Sequence, residues 1–141
     1  MNKRMSFTIV AVASALLVFV AASQAWADTI IKGPVNVTAG YAKGKVELKQ
    51  DTANGYFYAW CQVTDFYNSA VTHCRVYDNT TGKVITNDAN CTYPGLAGTC
   101  STTTSHVACN GDVIHAHITI SEEGNTSSSG NTGDYTCPYR K

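Results

Sequence analysis

Three histidines, His106, His115 and His117, are the side chains whose type and spacing most suggest chemistry. Between the first and the other two lies Asn110-Gly111, and both residues tolerate the positive φ that a two-residue hairpin turn needs. Counting outward from that turn sets Cys109 opposite Asp112, His106 opposite His115 and Thr104 opposite His117. Three imidazoles on one outward face can hold a zinc or copper ion and leave a position open for water or substrate. The metal-site expectation is therefore His106, His115 and His117, with no carboxylate placed in the sequence to orient the rings.

Other reactive types are sparser. Glu122-Glu123 is an adjacent carboxylate pair, but neighbours at a strand end point apart, so a solvated strand end is expected rather than an acid/base pair. No Gly-x-Ser-x-Gly or His-Glu-x-x-His motif is present, and no nucleophile has a base beside it in sequence. Phe66 and Tyr67 stand apart from the other aromatics because Asp65-Phe66-Tyr67-Asn68 reads as a loop tip. Exposed aromatics at such a place mark recognition sites, which makes Phe66 and Tyr67 the expected binding residues.

The six cysteines, Cys61, Cys74, Cys91, Cys100, Cys109 and Cys137, include no Cys-x-x-Cys. Their spacing matches no zinc or thiol-exchange motif, so structural disulfides are expected. Sequence leaves many connectivities open. If 66–69 is a hairpin loop, Cys61 and Cys74 face each other across it at a distance a disulfide can bridge. Cys91 with Cys100 would then close an irregular loop, leaving Cys109 for Cys137.

The elements that must position these residues read as strands. Candidates are 35–38, 43–50, 56–64, 71–78, 83–86, 104–109 and 113–121, separated by Gly, Asn, Asp and Ser turns. In 113–121, Ile114, Ala116, Ile118 and Ile120 alternate with His115, His117, Thr119 and Ser121, so one face is core and the other wet. In 56–64 both faces are apolar, as for a central strand. Residues 87–103 show no clean alternation and read as a long stapled loop. Residues 124–133 lack any apolar side chain, and a flexible segment is expected over 122–136. The expected fold is all-β: a disulfide-stabilised antiparallel β-sandwich of about seven strands with immunoglobulin-like architecture. Trp60 beside Cys61 is not the antibody-domain arrangement, so the architecture implies no family.

The N-terminus has the order of a signal peptide: Lys3 and Arg4, an apolar run over 7–22, then Ala25-Trp26-Ala27 before Asp28. Cleavage after Ala27 leaves 28–141 as a single domain. The run is shorter than the roughly 20 residues that span a bilayer, so no stable membrane insertion is expected after cleavage. The residue directly after the cleavage point is Asp28 and not a cysteine, and the Ala-x-Ala ending fits a secreted or periplasmic product. The 141-residue chain balances 10 basic against 10 acidic side chains. Losing Lys3 and Arg4 tips the mature protein slightly acidic, which offers no footprint for nucleic acid. Two function classes follow. One is an exported, non-catalytic binding or interaction module for a protein, glycan or cell-surface ligand. The other is a metal-binding protein or small metalloenzyme that uses the three histidines.

Overall fold

The computed structural model describes residues 28–67, 69–86, 89–92, 98–122 and 127–139; the leader over 1–27 lies outside them. Regular structure in the described residues is entirely β and forms two antiparallel sheets, with no barrel. The first sheet runs β1 (Thr29–Ala39), β2 (Ala42–Gln50), β3 (Phe57–Thr64) and β7 (Thr99–Thr103) in that spatial order. The second is built on β4 (Ala70–Asp78) and β8 (Val113–Glu122), paired along their length. Short strands β5 (Lys83–Val84) and β6 (Ala89–Thr92) extend it beyond β4, and β9 (Ser128–Asn131) and β10 (Tyr135–Thr136) beyond β8.

Period-two alternation explains how the sheets stack. The first sheet contributes Val46, Leu48, Phe57, Ala59, Cys61 and Val63 to the core, and Val76, Ile114, Ala116, Ile118 and Ile120 meet them from the second. Gly44 makes close approach possible in the middle of this layer. A Cβ there would stand 2.7 Å from Val37 Cγ2 and 3.1 Å from atoms of both Ile118 and Ile120, so a larger residue would push the sheets apart. On the outer face of the first sheet, the nearly buried Glu47 pairs with Lys45 at 3.3 Å and Lys49 at 3.2 Å. Both ammonium groups lie over the Trp60 ring, 4.6 and 4.4 Å from its centroid. The second apolar face of β3 is thus covered by lysine stems from the neighbouring strand.

Cys61 and Cys74 are bonded, with Cα atoms 5.9 Å apart, and so are Cys109 and Cys137 at 5.8 Å. The first bond is not a hairpin cross-link. β3 and β4 belong to opposite sheets, and the disulfide crosses the core between them. Cys100 is also disulfide-bonded, whereas the side chain of Cys91 lies outside the described residues. These bonds fit an oxidising, extracellular setting. Among the described residues no helix is long and apolar enough to cross a membrane.

Three segments differ from the sequence reading; the first is 87–103, read as a loop, which contributes β6 beside β4 and β7 beside β3. Residues 104–109 do not form a hairpin with β8. They stay with the first sheet, where Val107 and Phe57 exchange backbone hydrogen bonds of 2.8 and 2.9 Å and Ala59 N donates to Thr104 Oγ1 at 3.0 Å. Gly111 does take a left-handed φ of 79°, but the turn carries the chain from one sheet to the other. The apolar-free stretch is also not simply loose. Ser128–Asn131 pairs with β8, and Gly130 lies against β1, where a Cβ would meet Val37 Cγ1 at 2.6 Å. Glu123 to Thr126 lie outside the described residues.

Candidate ligand-binding site

The last residue of β8 organises one end of the molecule. Continuing the inward alternation of Ile114, Ala116, Ile118 and Ile120 by one step puts Glu122 inside as well, and it is only 3 % exposed. Its carboxylate accepts hydrogen bonds from three backbone N–H groups: Tyr41 at 2.8 Å, Ala42 at 3.3 Å and Tyr67 at 2.8 Å. Two loops distant in sequence are thereby fixed to one anchor. Backbone donation, chiefly from Tyr67, holds the carboxyl below its ordinary range against the opposing effect of burial.

The first loop is the two-residue turn between β1 and β2. Ala39 pairs with Ala42, and Gly40 between them has a φ of 61°, the glycine-first requirement of a type II′ turn. Tyr41 then points outward, 65 % exposed. The second loop joins β3 to β4, from one sheet to the other. Its Phe66 is fully buried in the core, which corrects the expectation of an exposed tip residue: this ring plugs the end of the core and fastens the loop. Tyr67, its neighbour, faces solvent at 52 % exposure. Asp65 adopts a φ of 61°, the sole left-handed non-glycine among the described residues. Such a conformation costs roughly 1 kcal/mol and recurs at functional sites.

Together the loops shape a shallow groove of about 430 Å³ lined by Thr38, Gly40, Tyr41, Lys43, Asp65 and Tyr67. The two tyrosine rings meet edge to face, with centroids 4.7 Å apart and planes at 75°. On the rim, Lys43 Nζ and Asp65 Oδ2 form an exposed ion pair at 2.8 Å, and the hydrogen bond from that pair raises the lysine pKa. The groove offers aromatic surface bounded by one donor and one acceptor group of opposite charge. Comparison with known protein families finds no matching model, and no curated protein matches the sequence.

The predicted histidine set is not assembled by the fold. His106 lies at the edge of the first sheet, its ring 4.5 Å from Tyr58 and its Nε2 3.6 Å from Asp51 Oδ2. His115 and His117 project from the outer face of the second sheet. His115 stacks on Tyr77 at 5.3 Å and an interplanar angle of 12°, and His117 meets the same ring edge-on at 5.4 Å. His117 Nδ1 contacts Asn131 Oδ1, and its Nε2 lies 2.9 Å from Thr119 Oγ1. Burial lowers the His115 pKa, with Asp134 at 3.6 Å opposing and His117 reinforcing the shift. Among the described residues no three His, Cys, Asp or Glu side chains stand where they could hold a metal ion. The failed step is the hairpin register, which required 104–109 to pair with β8.

Of the predicted binding pair, Tyr67 lines the groove and Phe66 supports it from beneath. Tyr41, Lys43, Asp65 and Glu122 carry no recognisable motif. The available signals were a tyrosine beside Gly40 in a tight turn, and the strict alternation of β8 carried one residue further.

Proposed function

We propose that residues 28–141 are an exported, disulfide-bonded binding module without catalytic activity, which engages a protein, glycan or cell-surface ligand through Tyr41 and Tyr67. The signal-like sequence over 1–27 and the disulfides support a secreted or periplasmic setting. Two antiparallel sheets tied by a bond across the core, with loops at their ends, favour an immunoglobulin-like reading of the architecture.

One observation carries the proposal: a single buried carboxylate holds both exposed tyrosines by their backbones. Fixing two loops before a ligand arrives lowers the ordering cost of binding. Exposed aromatic surface otherwise favours association without specificity, so a scaffold that presents it rigidly is suited to recognition. The test is to apply labelled, oxidised protein to arrays of immobilised glycans and immobilised cell-surface proteins, beside the Tyr41→Ser/Tyr67→Ser double variant. Signals that fall about tenfold or more in the variant are expected, a difference of about 1.4 kcal/mol. Undiminished signals would remove the tyrosine end from consideration.

A further inference from the structure

The ligand's chemistry can be narrowed from the groove itself, an inference that rests on the binding reading above. We propose that Tyr41 and Tyr67 receive a neutral carbohydrate, with a sugar ring lying on exposed tyrosine surface and its hydroxyls reaching the Lys43–Asp65 pair.

Three features favour this chemistry over a charged or a protein ligand. The first is charge. Lys43 and Asp65 are bonded to each other at 2.8 Å, with 67 % and 56 % of their side-chain surfaces exposed, so the rim is electrically balanced. An anionic ligand would compete with Asp65 for the ammonium, and a cationic one with Lys43 for the carboxylate. A sugar hydroxyl both donates and accepts, and can join the pair without breaking it. The second is shape. Two rings at 75° form a corner of π surface. A pyranose has one face made of C–H groups with a hydroxyl rim, and those C–H groups, slightly positive, suit the negative face of an aromatic ring. The third is size. A groove of about 430 Å³ falls in the roughly 300–1,000 Å³ range of small-ligand sites. A stable protein interface instead needs about 800 Å² of surface on each partner.

Rigidity matters here because each interaction with a sugar is weak on its own. Glu122 fixes the backbone of both tyrosines, and buried Phe66 pins the loop beside Tyr67. Little ordering cost is then left to set against that weak attraction.

The experiment is an NMR titration of the full chain, expressed for export and recovered oxidised, followed at the tyrosine ring and backbone amide signals. The probes are neutral disaccharides of glucose, galactose, mannose and N-acetylglucosamine, with a sulfated disaccharide as the charged comparison. At least one neutral sugar is expected to shift Tyr41 and Tyr67 saturably, with Kd between about 0.1 and 10 mM. Its affinity should change less than about twofold when salt is raised several-fold, because no net charge is neutralised. Tyr67→Ser should weaken it about tenfold, Tyr67→Phe much less, and Asp65→Asn measurably. Both tyrosine changes are at a solvent-facing ring, and retained amide spectra confirm folding. No shift with any neutral sugar up to about 50 mM, shifts centred elsewhere, or tighter and salt-sensitive binding of the sulfated probe would each overturn the carbohydrate assignment. If array proteins still bind through the tyrosines in that event, the binding module stands and its ligand is a protein. Array binding that ignores the tyrosines would defeat both.

Discussion

Glu122 shows how one residue can set the behaviour of a whole end of a protein. Its carboxyl is held below the ordinary value of 4.5 by backbone donors, first Tyr67 and then Tyr41 and Ala42. A depressed folded-state pKa means that the unfolded chain binds the proton more readily. The stabilisation is therefore fully present above the unfolded pKa and lost as pH falls through the folded one. The amide signals of Tyr41 and Tyr67 should titrate together, with a common midpoint below 4.5; separate midpoints, or none, would mean the two loops do not share this anchor. Thr72 is the opposite case. It is fully buried, and its hydroxyl finds no hydrogen-bond partner among the described residues. Replacing it with Val removes an unpaired polar group at nearly constant shape, so Thr72→Val should stabilise the fold by about 0.5–2 kcal/mol, read as a higher urea midpoint. A lower midpoint would show that the hydroxyl is satisfied in solution.

At the scale of elements, strands with a strong apolar alternation are readable from the sequence, and their pairing partners are not. The pattern of β8 fixes which residues face inward, and its extension to Glu122 follows the same rhythm. Asn110-Gly111 correctly marks a turn, yet a turn signal does not say whether the strands it joins share a sheet. Here Thr104 and Val107 already bond to β3, and His106 is carried away from His115 and His117. β9 is invisible for a different reason. Ser128–Asn131 has no apolar side chain to reveal a period, and it is held by backbone pairing to β8, with Gly130 admitting the close approach of β1. The Cys61–Cys74 pair is bonded as expected, but the hairpin on which that expectation rested is not formed, because β3 and β4 lie in different sheets. Because that bond joins the two layers through the core, Cys61→Ala/Cys74→Ala should cost about 2–4 kcal/mol of stability in chemical denaturation. A loss within experimental error would mean that packing alone holds the layers together.

Over the whole molecule, the Cys109–Cys137 bond and the candidate site lie at opposite ends of β8. The strand starts at Val113, beside the Cys109–Cys137 bond, where Cys137 N donates to Asp112 O at 2.8 Å. It finishes at Glu122, beneath Tyr41 and Tyr67. The disulfide thus secures the C-terminal segment at one end while hydrogen bonds to a buried carboxylate shape the other. Two outward surfaces then compete as the binding face: the tyrosine end and the histidine face of the second sheet. They are separated most directly by measuring, for a ligand found on the arrays, the affinities of the intact protein, of Tyr41→Ser/Tyr67→Ser and of His115→Asn/His117→Asn. A drop of about tenfold or more in the tyrosine variant, with the histidine variant within about twofold of the intact protein, is the expected result. Loss in the histidine variant with full affinity in the tyrosine variant would contradict it.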